Sequence, residues 1–242
     1  YILYERFTIH TNRKTTILMT PTDILGNIKL YNGDCTEVMN TFKDKQFSLA
    51  ICDPPYGIGE DGSKNHTRCK IATSKNYKGY NGSDKEPPPK EFFDELIRVS
   101  KNQIIWGANH FISRIPFDSS CWVVWDKDNG LTDFADCELA WTSFNSAVRK
   151  FKWRWQGMLQ QDMKNKQERI HPNEKPTQLY KWLLQNYAKE GDTILDTHFG
   201  SLSIGIACHD LKFDLTAIEL DEDYYEQAKK RLINHQRQLT LF

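Results

Sequence analysis

Residues 193–219 read TILDTHFGSLSIGIACHDLKFDLTAIE. A short apolar run, Thr193 to Leu195, leads into the loop Asp196-Thr197-His198-Phe199-Gly200-Ser201. A helical stretch continues to about Asp210, and a second apolar run, Leu215 to Ile218, closes on the acid Glu219. Strand, glycine loop, helix and strand ending in an acid is the pattern of a nucleotide-type site in a doubly wound α/β sheet.

Working outward, the same alternation holds on both sides. A helix is predicted over Thr177 to Ala188, a turn at Glu190-Gly191-Asp192, and a long helix from Asp223 to about Gln236. Nearer the start, Ile28 to Tyr31 reads as a strand, Asn32-Gly33-Asp34 as a turn and Thr36 to Phe42 as a helix. Phe47 to Cys52 reads as a buried strand, Lys90 to Val99 as a helix, and Gln103 to Trp106, Cys121 to Trp125 and Glu138 to Phe144 as strands. Alternating elements of this kind argue α/β rather than segregated layers.

Composition agrees with a globular domain. The chain has 242 residues, 39% hydrophobic and 26% charged, so it can bury roughly 70–75% of its unfolded surface without disulfides or metals. No stretch approaches the roughly 20 apolar residues that span a bilayer. The six cysteines, at 35, 52, 69, 121, 137 and 208, show no C-x-x-C ligand spacing; free thiols in a reducing cytosol are expected, with no metal site. Residues 1–18 precede Met19 and carry no readable chemistry, so 19–242 is read as a single domain. Residues 58–89, rich in Gly, Asn, Ser, Lys and Pro, read as a mobile flap.

Charge sums to zero but is unevenly spread: residues 145–170 carry a net +5 and residues 190–226 a net −9. A polyanion partner for one face is therefore allowed. In the basic stretch Trp153 and Trp155 interleave with Arg149, Lys150, Lys152 and Arg154, which fits phosphate contacts beside stacking surfaces. The same alternation is also plain strand periodicity, with an aromatic face in the core and a basic face in solvent.

The strand Phe47 to Cys52 stops at Asp53-Pro54-Pro55-Tyr56, at the end of the strand where open α/β sheets place their ligands. The prolines stiffen the loop and present carbonyl oxygens without competing N–H donors; Asp53 adds an acceptor and Tyr56 a flat stacking face. Two acceptors and an aromatic plate suit a planar ring bearing an exocyclic amino group. The plainer alternative is a proline turn that ends a strand.

Asp53-Pro54-Pro55-Tyr56 resembles catalytic motif IV of the amino-group, S-adenosylmethionine-dependent DNA methyltransferases. His171-Pro172-Asn173-Glu174-Lys175-Pro176-Thr177 resembles their motif X, and Asp196 to Ser201 their motif I loop, in the permuted order of the beta group. The resemblance implies a Rossmann-like, mostly parallel seven-stranded sheet with a small inserted recognition region, for which about 145–170 is the candidate. It implies Asp53, Pro54, Pro55 and Tyr56 as catalytic, and Asp34, Lys175, Asp196, His198, Gly200, Ser201 and Glu219 as cofactor-binding. Lys175 is read either against the cofactor carboxylate or as a solvated charge, and His198 either over the cofactor or as a structural residue. The family loop usually reads Asp-Pro-Phe-x-Gly-Ser-Gly; here Thr197, His198 and Leu202 replace the Pro, the Phe and the second Gly, and a leucine restricts the backbone there.

The implied activity is methyl transfer to adenine N6 of a base flipped from double-stranded DNA, because Asp at the first motif position leans toward adenine in this family. An N4-cytosine enzyme, an RNA or protein-amide methyltransferase, and an inactive DNA-binding relative stand as alternatives. A cytoplasmic bacterial or phage protein is expected, with no membrane partner; a homodimer and a cognate restriction enzyme are left open.

Overall fold

The computed structural model describes residues 19–59, 84–130, 135–156 and 159–239. The leading segment 1–18 and most of the expected flap, 60–83, lie outside the described residues.

The elements run β1 (Asp23–Leu25), β2 (Ile28–Asn32), α1 (Cys35–Met39), β3 (Phe47–Cys52), α2 (Lys90–Val99), β4 (Ser100–Trp106), β5 (Trp122–Asp126), β6 (Cys137–Thr142), β7 (Arg149–Lys152), α3 (Thr177–Tyr187), β8 (Thr193–Asp196), α4 (Ser203–Leu211), β9 (Asp214–Glu219) and α5 (Glu222–Leu239). They form one sheet in the order β1-β2-β9-β8-β3-β4-β6-β5-β7. The expected seven strands become nine among the described residues. The short β1 closes on β2 through Gly26-Asn27, with Gly26 at φ +66°, the kind of two-residue hairpin that favours glycine. At the other edge β7 pairs in parallel with β5.

The centre is parallel: β2, β9, β8, β3 and β4 pair side by side in one direction. Their carboxyl ends therefore lie along one edge. Chain order reverses between β8 and β3, which is the crevice where doubly wound sheets bind ligands.

Side-chain alternation along the strands builds two cores. Leu49 and Ile51 of β3 face a layer containing Leu179 and Leu183 of α3, Ile204 of α4 and Leu232 of α5. Ala50 and Cys52 face the opposite layer, with Val38 of α1 and Phe92, Phe93 and Leu96 of α2. Both faces of β3 are thus covered, which explains its nearly unbroken apolar run. In α2 the buried Phe92, Phe93, Leu96 and Val99 form one helical stripe. Pro89 sits at its N-cap and fixes the start.

No helix of the described residues is long and apolar enough to cross a membrane.

Candidate active site

Asp53 follows the last residue of β3, so its position is set by the sheet and the two prolines rather than by a flexible loop. Its Oδ1 accepts a hydrogen bond from Tyr56 Oη at 2.7 Å. Its Oδ2 accepts from Lys175 Nζ at 2.5 Å. The Lys175 ammonium also donates to Tyr56 Oη at 3.0 Å and pairs with Glu138 Oε2 at 3.0 Å. Glu138 Oε1 in turn pairs with Lys127. Two carboxylates and two ammonium groups thus balance one another around a tyrosine.

This balance is what lets charge persist in the interior. Burial pushes the Asp53 carboxyl up, and the adjoining Lys175 pulls it back only in part. Burial also works against a charged Glu138, yet Lys175 and Lys127 on either side hold its carboxyl down to about 2. Lys175 is only 5% exposed, so the solvated-charge reading of this residue is overturned; its two carboxylate partners keep it protonated despite burial.

The Tyr56 ring is held by close approach as well as by its hydroxyl. A β-carbon on Gly107 would lie 2.1–2.5 Å from three Tyr56 ring atoms, and Gly107 has φ +68°. No side chain fits at that position. The His110 ring stacks on Tyr56 with centroids 5.3 Å apart and planes within 15°.

The second half of the site comes from β8, β9 and the loop after β8. Glu219, 3% exposed at the end of β9, accepts from the backbone N–H of Gly200 at 2.8 Å and of Asp221 at 3.0 Å. Asp196, at the end of β8, accepts from His198 N at 3.0 Å, and burial pushes its carboxyl up to about 8. The His198 ring lies between Thr197 Oγ1 at 2.9 Å and Cys35 Sγ at 3.7 Å, with Phe92 at its edge. Burial lowers its pKa to about 4, so the ring is neutral at pH 7. Ser201 Oγ contacts Ser203 Oγ at 3.1 Å, and Arg231 of α5 donates to Ser201 O while pairing with the buried Glu174. That arginine fastens the glycine loop to the His171–Thr177 segment.

Leu202 answers the departure noted in the glycine loop. It sits at the N-cap of α4 at φ 57°, ψ 32°, a left-handed conformation that costs a leucine about 1–2 kcal/mol. Its side chain is fully buried over Gly205, where an added β-carbon would meet Leu202 Cγ at 2.6 Å. The backbone therefore keeps the shape a glycine would give it, and the leucine fills room left by a glycine one turn on. Leu202→Gly is expected to lower stability by about 1–3 kcal/mol, because the cavity outweighs the relieved strain; urea denaturation reads the sign, and a gain would mean that strain dominates.

The two halves open on one cavity of about 420 Å³, a size usual for small-molecule sites. Asp53, Pro54, Pro55, Tyr56, Lys175, His198, Gly200, Ser201 and Glu219 line it. Asp34 and Asp196 are outside the lining; Asp34 is exposed and caps α1, its Oδ1 accepting from Thr36 N and Glu37 N. Glu138 and Lys127 line the cavity without having been singled out in the sequence.

The basic stretch behaves mostly as a strand. Lys150 pairs with Asp126 at 3.3 Å, while Lys152 and Arg154 both pair with Asp128. Phe151 stacks with Trp153 and packs on Trp182 of α3. Trp155 is buried, donates from Nε1 to Glu174 O at 2.7 Å and lines the cavity. The aromatic face is thus core, and much of the basic face is neutralised by β5 and the turn after it.

Residues 138–230 match the family model described as DNA methylase, of the N6/N4 type. Among curated proteins the chain is similar to the type II methyltransferase M2.MboI of Moraxella bovis, 24% identical over 85% of this chain and 87% of that protein. It is also similar to the type II methyltransferase M.HpaI of Haemophilus parainfluenzae, 35% identical over 28% of this chain and 22% of that one. The fold is that of M1.HpyAVI, solved as a complex with SAM, at TM-score 0.51 and 21% identity over 85% of this chain and all of the other. It is likewise shared with the PvuII DNA methyltransferase, described as cytosine-N4-specific, at TM-score 0.55 and 12% identity over 87% and 88% of the two chains. The match over residues 138–230, a relative 24% identical along most of both chains and a shared fold make this chain similar to the N6/N4 DNA methyltransferases.

Proposed function

We propose that this chain transfers a methyl group from S-adenosylmethionine to the N6 amino group of an adenine flipped out of duplex DNA. The observation that carries the reading is Asp53, paired with Lys175 beside the Tyr56 ring, on the same cavity as Glu219 and the Gly200-Ser201 turn.

An exocyclic amino nitrogen is a weak nucleophile because its lone pair is delocalised into the ring. Asp53 and the Pro54 carbonyl accept its hydrogens and fix its position, drawing the nitrogen toward a tetrahedral geometry, while Tyr56 stacks on the ring. Most of the rate gain then comes from positioning and pre-oriented acceptors. The base must leave the stack, since its amino group is otherwise paired and unreachable.

The residues present fit the cofactor. Glu219, a buried carboxylate on the cavity wall, suits ribose hydroxyls, and the backbone at Gly200 and Ser201 suits the methionine carboxylate. Asp34 would accept from the adenine amino group, His198 on the cavity wall would pack against the cofactor, and Asp196 would support the loop from behind. When bound, S-adenosylmethionine supplies an electrophilic methyl group carried on sulfonium.

Adenine is favoured because the motif opens with Asp53. The fold shared with a cytosine-N4-specific enzyme keeps N4 transfer as a second reading. Labelled methyl transfer to unmodified genomic DNA, followed by nucleoside digestion and mass spectrometry, decides: N6-methyladenine is expected, N4-methylcytosine would replace it with the second reading, and neither would sink both.

A further inference from the structure

We propose that Glu138 is a positioning residue for methyl transfer: it holds the Lys175 ammonium against Asp53 and Tyr56, and is itself anchored by Lys127. The inference rests on the transfer reading above and assigns a role to a residue outside the three motifs.

The geometry is a chain of alternating charge. Lys127 meets Glu138 Oε1; Glu138 Oε2 meets Lys175 Nζ at 3.0 Å; Lys175 meets Asp53 Oδ2 at 2.5 Å. Glu138 Oε2 also lies 3.4 Å from Tyr56 Oη. All four charged side chains line the cavity. Glu138 reaches it because β6 runs antiparallel to β4, with Trp106 opposite Ala140. The start of β6 therefore comes to the edge where the parallel strands end.

The pairing sets how Asp53 acts. With Lys175 shared between two carboxylates, Asp53 keeps lone-pair density for the amino hydrogens of the base. Were Glu138 neutral, the ammonium would turn wholly on Asp53, making it a weaker acceptor and easier to ionise. Were Lys175 neutral, Asp53 would face Glu138 as a like charge and be harder to ionise. The other groups facing Asp53 are Tyr56, Asp196 and Tyr180, which all three variants below retain.

Since protonation removes the charge of Asp53 and turns one of its acceptor oxygens into a donor, kcat should fall as pH drops through its pKa. The test measures kcat against pH for methyl transfer to unmodified genomic DNA by wild type, Glu138→Gln, Lys175→Met and Glu138→Asp. In Glu138→Gln the acid limb should move about one pH unit lower, and in Lys175→Met about one unit higher. Turnover at the optimum should fall about 10- to 100-fold in Glu138→Gln, with little change in KM for cofactor. Glu138→Asp keeps the charge but withdraws it by one methylene, so kcat should fall about tenfold while the limb stays in place; it also carries the test if the glutamine variant does not fold.

Wild-type kcat with an unmoved limb in Glu138→Gln, a limb moving in the same direction in the Gln and Met variants, or wild-type kcat in Glu138→Asp would each overturn the assignment while leaving methyl transfer standing. A wild type that methylates no DNA would overturn both.

Discussion

Replacing Asp53 by alanine should lower methyl transfer by at least about 10³-fold, because it removes the charged acceptor proposed for the amino group. The proline carbonyl that remains can accept one hydrogen but cannot stabilise the positive charge that develops on nitrogen as the new bond forms. The loss should fall on kcat, not on cofactor affinity, since the residues proposed for the cofactor, Glu219 at the end of β9 and Gly200 and Ser201 in the loop after β8, keep their own hydrogen bonds. Folding should survive: Lys175 loses its inner partner but keeps Glu138 at 3.0 Å, and a stability loss on the order of 2 kcal/mol is expected. Asp53→Asn tests the charge separately from the shape: its amide keeps one acceptor oxygen but loses the charge and puts a donor in place of the second, so turnover should fall about 10- to 100-fold. Titration calorimetry with S-adenosylmethionine, alongside the transfer assay, reads both effects. Turnover within tenfold of wild type in either variant would refute the role given to Asp53.

The same site shows where sequence reading reaches and where it stops. The run from β8 to β9 is legible because each step has a local cause: an apolar strand, a glycine at a turn, a helix and a terminal acid. The bounds of α2 are equally plain, since Pro89 marks its start and the apolar stripe marks its face. The short β1 lacks such a signature: it has three half-exposed or exposed residues, and only Gly26-Asn27 hints at a hairpin. Glu138 escapes for a topological reason, because an acid near the start of a strand reaches the ligand edge only if that strand runs antiparallel, and local patterning does not disclose direction. Lys175 and Asp53 are 122 residues apart, so nothing near either one announces their pairing. Alternation in residues 149–155 fixes a strand face but not what covers it; the helix carrying Trp182 does.

Gly107→Ala is expected to have the second largest effect, about a 100-fold fall in turnover, through a residue that has no side chain. The new β-carbon would lie 2.1 Å from Tyr56 Cε1 and 2.3 Å from Cδ1, so one of them must move. Tyr56 is tied at its hydroxyl to Asp53 and Lys175, and stacks with His110. Gly107 is tied by its own N–H to Leu139 O at 2.9 Å, within the ladder that joins β4 to β6. Whichever yields, the stacking face shifts relative to Asp53, and the cost in stability is about 2–4 kcal/mol from overpacking and the left-handed backbone together. Gly191→Ala separates the two causes: it has φ +83° but nothing within 4 Å of an added β-carbon. That variant should lose about 1 kcal/mol and no turnover. Because Tyr56 would stack on the target base, Gly107→Ala should also raise KM for DNA while leaving cofactor binding unchanged, so the pattern differs from that of Asp53→Ala. Full turnover in Gly107→Ala, or equal losses in the two glycine variants, would show that clearance at Tyr56 is not what this glycine provides.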